Sequence, residues 1–333
     1  MKVLLYSEGL NLIKVSGLGR AILHQKRALT NVGVPFTTDP KDKDFDTVHI
    51  NTLGLKSKHL AKKMHKQGKH VVYHAHSTEE DFRNSFVGSN LISGVFKKWI
   101  VSCYNSGDVI ITPTNYSKRL IEGYGVKKPV FAISNGIDLD FYKPQKNDRK
   151  EFREQFGYTD DDKVVMSVGL YFERKGILDF VELAKAMPEY KFIWFGKTPL
   201  ASVPTKVRKA VNTKLPNLTF AGYVQPDMLK KAYTGSDVYI FPTHEETEGI
   251  VLLEALAAHA NVIVRDIPVF DWLEKDKDCY MAADNAEFEQ KIRGIIEGTL
   301  PDLRDAGYEA VKDKNLTAVG EKLVEAYSCT VKN

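Results

Sequence analysis

Short apolar runs rich in Val and Ile recur along the whole chain, and most are followed by stretches whose apolar positions repeat at helical spacing. "KVLLYS" precedes "AILHQKRALTNVG", "FDTVHIN" precedes "SKHLAKKMHKQG", and "HVVYHAH" and "DVIITPT" come after them. A strand that is apolar on both faces has to be covered by helices on both sides. The alternation therefore predicts an α/β fold with mostly parallel sheets.

A chain of 333 residues is long for one core, so two domains are expected. Periodicity lapses over "AISNGIDLDFYKPQKNDRKEFREQFG", where Asn-Gly, a proline and clustered charges mark a connection near residues 138–148. It restarts with "KVVMSVG", "GILDFVELAKAM", "YKFIWFG", "LTFAGYV", "PDMLKKAYTGS", "DVYIFPT", "GIVLLEALAAHA" and "NVIVRDI". The expectation is two Rossmann-like domains facing a central cleft, residues 1–140 and 141–310. A helical segment over 311–333, containing "AVGEKLVEAYSC", is expected to pack back toward the first domain.

Charge is unevenly divided. Residues 1–140 carry 20 Lys+Arg against 12 Asp+Glu, a net of +8, and the remainder carries 27 against 31, a net of −4. The first part is thus suited either to an anionic partner (phosphate, nucleic acid or lipid headgroups) or simply to solvation. Cys103, Cys279 and Cys329 form no C-x-x-C pair, which fits a reducing cytoplasm rather than a disulfide scaffold. No apolar run approaches a membrane span, so any membrane contact is expected to be peripheral.

Open α/β sheets bind ligands beyond the carboxyl ends of their strands. Four clusters occupy such positions. "SGLGR" places Gly17 and Gly19 before a helix, as a phosphate contact or as a plain tight turn; the third glycine of a dinucleotide motif is absent, since Ile22 stands there. "YHAHSTEED" carries His74 and His76, a spacing that suits a metal, but no third ligand follows at a recognised distance. "VGLYFERKGILDF" sets Arg174 and Lys175 beside a helix start, where two cations can neutralise a departing diphosphate.

The fourth cluster is "FPTHEETEGIVLLEALAAHA", residues 241–260. Gly249 permits close approach at a helix start, and the N–H groups of Gly249, Ile250 and Val251 are expected to face a ligand. Glu254, among Leu252, Leu253, Ala255 and Leu256, sits a turn inside the helix, and a carboxylate there can accept two ribose hydroxyls. Glu246 could hold sugar hydroxyls or stabilise developing positive charge.

Glu246-Thr-Glu-Gly-Ile-Val-Leu-Leu-Glu254, with "SNGIDLDFYKP" and "ERKG", resembles the E-x(7)-E, Asn-Gly-Ile-Asp and Lys-Gly motifs of retaining nucleotide-sugar glycosyltransferases of family 4. The resemblance covers essentially the whole chain and implies the GT-B fold. It assigns Glu254 to the ribose, Glu246 to the donor sugar, Lys175 to the diphosphate, Gly17 and Gly19 to the phosphates, and His76 to the transferred sugar near the reacting centre. Glu246, His76 and Lys175 are the expected catalytic residues, with no metal ligands and no cofactor beyond the UDP-sugar co-substrate. Two departures stand out: Leu170 occupies a position where the family often has Arg, a role Arg174 would take, and Glu248 replaces a common Phe.

Within the family, "MKVLLYSEGLNLIKVSGLGRAILHQKRAL" and "VVYHAHSTEEDFRNSF" are most similar to Gram-positive enzymes that glycosylate diacylglycerol or monoglucosyldiacylglycerol, including those that make lipoteichoic acid anchors. This implies UDP-glucose or UDP-galactose as donor, a glycolipid or diacylglycerol acceptor with addition of a second hexose favoured, and a cytoplasmic protein on the inner face of the membrane. Phe86, Leu91, Ile92, Val95, Phe96, Trp99, Ile100 and Cys103 recur at near-helical spacing beside Lys97 and Lys98, and "KSKHLAKKMHKQGKH" adds positive charge. Such a stripe either lies in an anionic bilayer surface or faces a core. A cell-wall, capsule or teichoic-acid glycosyltransferase would share the donor residues. A nicotinamide dehydrogenase lacks its third glycine, and a nucleic-acid binder would use only the basic half; no nucleic-acid partner is expected.

Overall fold

The computed structural model describes residues 1–9 and 16–329. Two compact units divide the chain: residues 1–82, 91–138 and 313–333 form the first, and residues 83–90 and 139–312 the second. Among the described residues each unit holds one six-stranded sheet.

In the first unit the strands are β1 (Val3–Tyr6), β2 (Phe36–Thr37), β3 (Thr47–Ile50), β4 (His70–His74), β5 (Val109–Thr112) and β6 (Val130–Ala132), ordered β2-β1-β3-β4-β5-β6. In the second they are β7 (Val164–Val168), β8 (Lys191–Phe195), β9 (Leu218–Gly222), β10 (Val238–Phe241), β11 (Val262–Arg265) and β12 (Tyr280–Ala282), ordered β12-β11-β10-β7-β8-β9. Every pairing is parallel. The central strands β3, β5, β7 and β10 are buried throughout, which is why their apolar runs do not alternate. Each sheet thus realises the α/β fold that the alternation predicts.

Three strands escape the sequence pattern: β2, β6 and β12 all lie at sheet edges and span only two or three residues. An edge strand has one partner and needs no long apolar run.

Polar residues start the helices where chain direction must be set. Ser16 caps the helix Gly17–Asn31, Thr114 and Ser117 form a reciprocal capping box on Asn115–Gly123, and Asn315 caps Leu316–Ser328. That last helix lies on the first unit, against Gly17–Asn31. Gly320 makes the crossing: a Cβ there would stand 2.5 Å from the Ala28 carbonyl oxygen. Leu316, Val319, Leu323, Ala326 and Tyr327 complete a core with Val3, Leu5, Val72 and Ile111.

The apolar stripe of the Ser89–Tyr104 helix is divided along its length. Ile100, Cys103 and Tyr104 are buried, and Trp99 Nε1 donates to the Leu53 carbonyl at 2.7 Å. Leu91 and Val95 are 91% and 71% exposed, and Ile92 is also exposed. Among the described residues no helix is long and apolar enough to cross a membrane.

Candidate active site

Beyond β10, the chain turns through Pro242–Glu248 into the helix Ile250–Ala257, and beyond β7 it enters a short 3₁₀ turn, Glu173–Lys175. The strands are adjacent in the sheet, so these two connections meet. Gly176 lets them meet closely, because a Cβ there would lie 2.1 Å from the Pro242 carbonyl oxygen. His244 N donates to the Arg174 carbonyl at 2.6 Å, and Thr243 Oγ1 lies 3.0 Å from the same oxygen.

Between them lies Glu246, 5% exposed. Lys175 Nζ donates to Glu246 Oε1, Arg174 Nη1 stands 3.7 Å from Oε2, and Thr243 Oγ1 donates to Oε1 at 2.9 Å. Burial alone would raise this carboxyl; the Lys175 and Arg174 charges and the two hydrogen bonds outweigh it and hold it below the ordinary glutamate value. Arg174 is itself positioned: Nη1 donates to the Glu245 carbonyl at 2.9 Å, and Nε to Ser85 Oγ at 2.9 Å. Ser85 belongs to the segment 83–90 that groups with this unit, and nothing in the local pattern of the sequence marks it.

The helix Ile250–Ala257 begins at Gly249, whose φ of 87° is in the left-handed region. A Cβ there would stand 2.7 Å from the Phe241 ring, so both space and conformation call for glycine. No side chain caps this helix, and the first-turn N–H groups of Gly249, Ile250 and Val251 have no intrahelical acceptor. One turn in, Glu254 is buried and accepts the Tyr233 hydroxyl. Glu248 is buried as well. The structure therefore brings Arg174, Lys175 and Glu246 into one cluster. It places Gly249, Ile250, Val251 and Glu254 on the helix that follows.

The other candidates lie in the first unit. Gly17 is exposed and Gly19 partly so, both in the first turn of their helix, and the Gly19 N–H is taken by Ser16 Oγ at 3.3 Å. His76 follows β4 directly and is partly exposed; its ring stacks on His74 at 3.9 Å, and its Nε2 lies 2.9 Å from Asn51 Oδ1. His74 is buried, so two histidines of one strand end have different surroundings. Among the described residues no group of three or more His, Cys, Asp or Glu side chains is placed to hold a metal ion.

Thr243, Tyr233 and Asn51 were not singled out by sequence. Thr243 carried a usable signal, a hydroxyl at a strand end two residues before the acids. Tyr233 sits in an ordinary amphipathic helix and carried none.

Residues 148–313 match the model of Glycosyl transferases group 1, and residues 19–141 that of Glycosyltransferase Family 4. The chain is 44% identical over its full length to the processive diacylglycerol alpha-glucosyltransferase of Acholeplasma laidlawii, 99% of which is covered. It is 24% identical to the alpha-galactosylglucosyldiacylglycerol synthase of Streptococcus pneumoniae over 68% of this chain and 61% of that one. In fold it is similar to Anabaena HepE in complex with UDP and glucose, with a TM-score of 0.79 at 16% identity over 98% of this chain and 99% of that one. A sucrose-phosphate synthase from Thermosynechococcus elongatus gives a TM-score of 0.81 at 16% identity over 98% of both chains. Two parallel six-stranded sheets, two family models in tandem and a full-length relative agree: the chain belongs to glycosyltransferase family 4 and has the GT-B fold.

Proposed function

We propose that the protein transfers a hexose, glucose or galactose, from a UDP-sugar to monoglucosyldiacylglycerol or diacylglycerol, with the anomeric configuration retained. The observation that carries this reading is the 44% identity, from end to end, to a processive diacylglycerol alpha-glucosyltransferase.

The chemistry follows from the cluster in the second unit. Lys175 and Arg174 stand together in this cluster, and two cations there can neutralise a departing diphosphate. The N–H groups of Gly249, Ile250 and Val251 add fixed dipoles, and Gly17 and Gly19 are assigned to the phosphates. Glu254 accepts the ribose hydroxyls, Glu246 contacts the hexose, and His76 is assigned to the transferred hexose. The acceptor hydroxyl attacks the anomeric carbon on the face from which UDP departs. As the new C–O bond forms, the bond to phosphate breaks and the acceptor proton passes to a phosphate oxygen. This differs from retaining glycosidases, where a carboxylate forms a covalent intermediate. Two cations and the helix N–H groups carry the leaving-group charge, so the scheme calls for no metal and no further cofactor.

The protein works in the cytoplasm, peripherally on the inner face of the membrane. Exposed Leu91, Ile92 and Val95, together with exposed Lys56, Lys62, Lys63 and Lys66 on the helix Leu55–Lys66, support attachment to an anionic lipid surface. Nucleic acid is not a partner in this reading.

The test offers UDP-glucose or UDP-galactose with vesicles carrying diacylglycerol or monoglucosyldiacylglycerol, and analyses products by mass spectrometry and proton NMR. An α-linked hexosyl lipid is expected. Transfer only to polyprenyl or protein acceptors would replace the lipid reading with a cell-envelope one.

A further inference from the structure

A line of hydrogen bonds runs through the interior of the first unit and ends at His76. The Tyr327 hydroxyl lies 2.7 Å from His49 Nδ1, and His49 Nε2 lies 3.0 Å from His74 Nδ1. Gln25 Nε2 reaches His74 Nδ1 at 3.0 Å and Asn51 Oδ1 at 2.7 Å; Asn51 Oδ1 is also 2.9 Å from His76 Nε2. All but His76 are buried. The rings stack in order, His49 on His74 at 5.1 Å and His74 on His76 at 3.9 Å.

Such a line has two self-consistent directions, because each imidazole can exchange donor for acceptor and each amide can be turned over. The Tyr327 end has no such freedom. Its hydroxyl is buried, and among the described residues its hydrogen-bond partner is His49. A hydroxyl that only accepted there would leave its own proton unpaired in the interior. It therefore donates, and each link then fixes the next. His49 accepts at Nδ1 and donates from Nε2; the single lone pair of His74 Nδ1 is shared between that N–H and the NH₂ of Gln25, and His74 carries its own proton on buried Nε2, which has no partner among the described residues. The same NH₂ donates to Asn51 Oδ1, leaving that oxygen to accept the Nε2–H of His76. Burial pushes His49 and His76 down to about 3 and His74 well below its ordinary value, so the rings are neutral near pH 7.

We propose that Tyr327, His49, His74, Gln25 and Asn51 are positioning residues that hold His76 as its Nε2–H tautomer, so that Nδ1 meets a hydroxyl of the hexose or of the acceptor as a hydrogen-bond acceptor. The proposal rests on the reading above that His76 faces substrate. A neutral nitrogen lone pair suits a hydroxyl and repels phosphate oxygen, which separates the task of His76 from that of Lys175.

Two-bond proton–nitrogen correlation on the full chain labelled with ¹⁵N-histidine reads the tautomer directly. His76 should be protonated at Nε2 and bare at Nδ1 in the unsubstituted protein. Tyr327→Phe keeps the ring beside His49 but removes the directing proton. It should give mixed tautomers and a roughly three- to tenfold lower turnover at unchanged KM for UDP-sugar, as expected for one lost hydrogen bond. Gln25→Glu presents acceptors to both neighbours and should reverse His76 to Nδ1–H; if it does not fold, Tyr327→Phe and the unsubstituted spectrum decide. An Nδ1–H His76 in the unsubstituted protein, or one unchanged in the variants, overturns the proposal. His76→Ala separates the two readings. Full transfer by that variant removes His76 from the substrate, whereas the tautomer result stands or falls by itself.

Discussion

The hydroxyl of Tyr233 donates to Oε2 of Glu254 at 3.0 Å, and both side chains are 1% exposed. The helix Pro226–Gly235 thereby braces a carboxylate carried by Ile250–Ala257. Tyr233→Phe keeps the packing and removes the brace. Calorimetric titration with UDP should show affinity weakened about three- to tenfold, the net worth of one hydrogen bond. Equal affinities in the two proteins would mean that Glu254 needs no orienting partner.

Lys175 is the cation in direct contact with Glu246. Lys175→Met should lower turnover about 10²- to 10³-fold, the usual cost of losing one group aimed at developing charge. Glu246→Ala should also cut turnover severely, since it leaves Arg174 and Lys175 without their shared carboxylate. Stopped assays with mass-spectrometric product counting check both. Near-normal rates in the two variants would move the site elsewhere.

Buried neutral histidines make stability depend on pH. Burial pushes His24 down to about 4 and His49 and His76 to about 3, and holds His74 well below its ordinary value; the unfolded chain protonates them near 6.5. The unfolded state thus binds more protons in acid, so stability is fully present above about pH 6.5 and falls as pH drops from there toward 4. Four such groups give a limiting slope of about 5 kcal/mol per pH unit. The urea midpoint should therefore drop sharply between pH 7.5 and 5.5, before the lowered carboxyl of Glu246 begins to protonate. A flat midpoint over that range would mean the rings take up protons in the folded chain.

Gly176 and Gly33 make a controlled pair. Both have left-handed φ, +76° and +69°, but a Cβ would strike the Pro242 carbonyl only at Gly176, and at Gly33 nothing lies within 4 Å. Gly33→Ala should cost about 1–2 kcal/mol, the left-handed penalty alone. Gly176→Ala should cost distinctly more and weaken UDP binding, because it pushes the Arg174–Lys175 turn off β10. Similar thermal midpoints for the two would deny any role to close approach.

Leu91 and Val95 project from the outer half of a helix whose inner half is anchored by Ile100 and Cys103. The double change Leu91→Ser, Val95→Ser should leave folding intact and reduce binding to anionic vesicles at least about tenfold, from lost apolar burial. Co-sedimentation measures this. Undiminished binding would assign attachment to the lysines of the Leu55–Lys66 helix.

The strand ends and the helix start at Gly249 were legible because they depend on neighbours in sequence: an apolar run, a turn, an apolar helix. Arg174, Lys175 and Glu246 could be named, but their union in one ion cluster depends on β7 pairing with β10, and strand order is not written in local periodicity. The same holds for Asn51 and His76, whose meeting follows from β3 lying beside β4. Spacing also joined Leu91 and Ile100 in a single stripe. Whether an apolar residue faces core or solvent depends on what covers it, and here one end is covered and the other is not.

The helix Leu316–Ser328 has a consequence for how the chain is made. It supplies part of the core that also holds β1 and β5, so the amino-terminal unit lacks a wall until residues 316–328 have left the ribosome. The second unit, drawn almost wholly from one continuous stretch, has no such wait. Biosynthesis should therefore leave the amino-terminal sheet exposed while its partner matures, making the emergence of the Leu316–Ser328 helix the step that ends its need for chaperones.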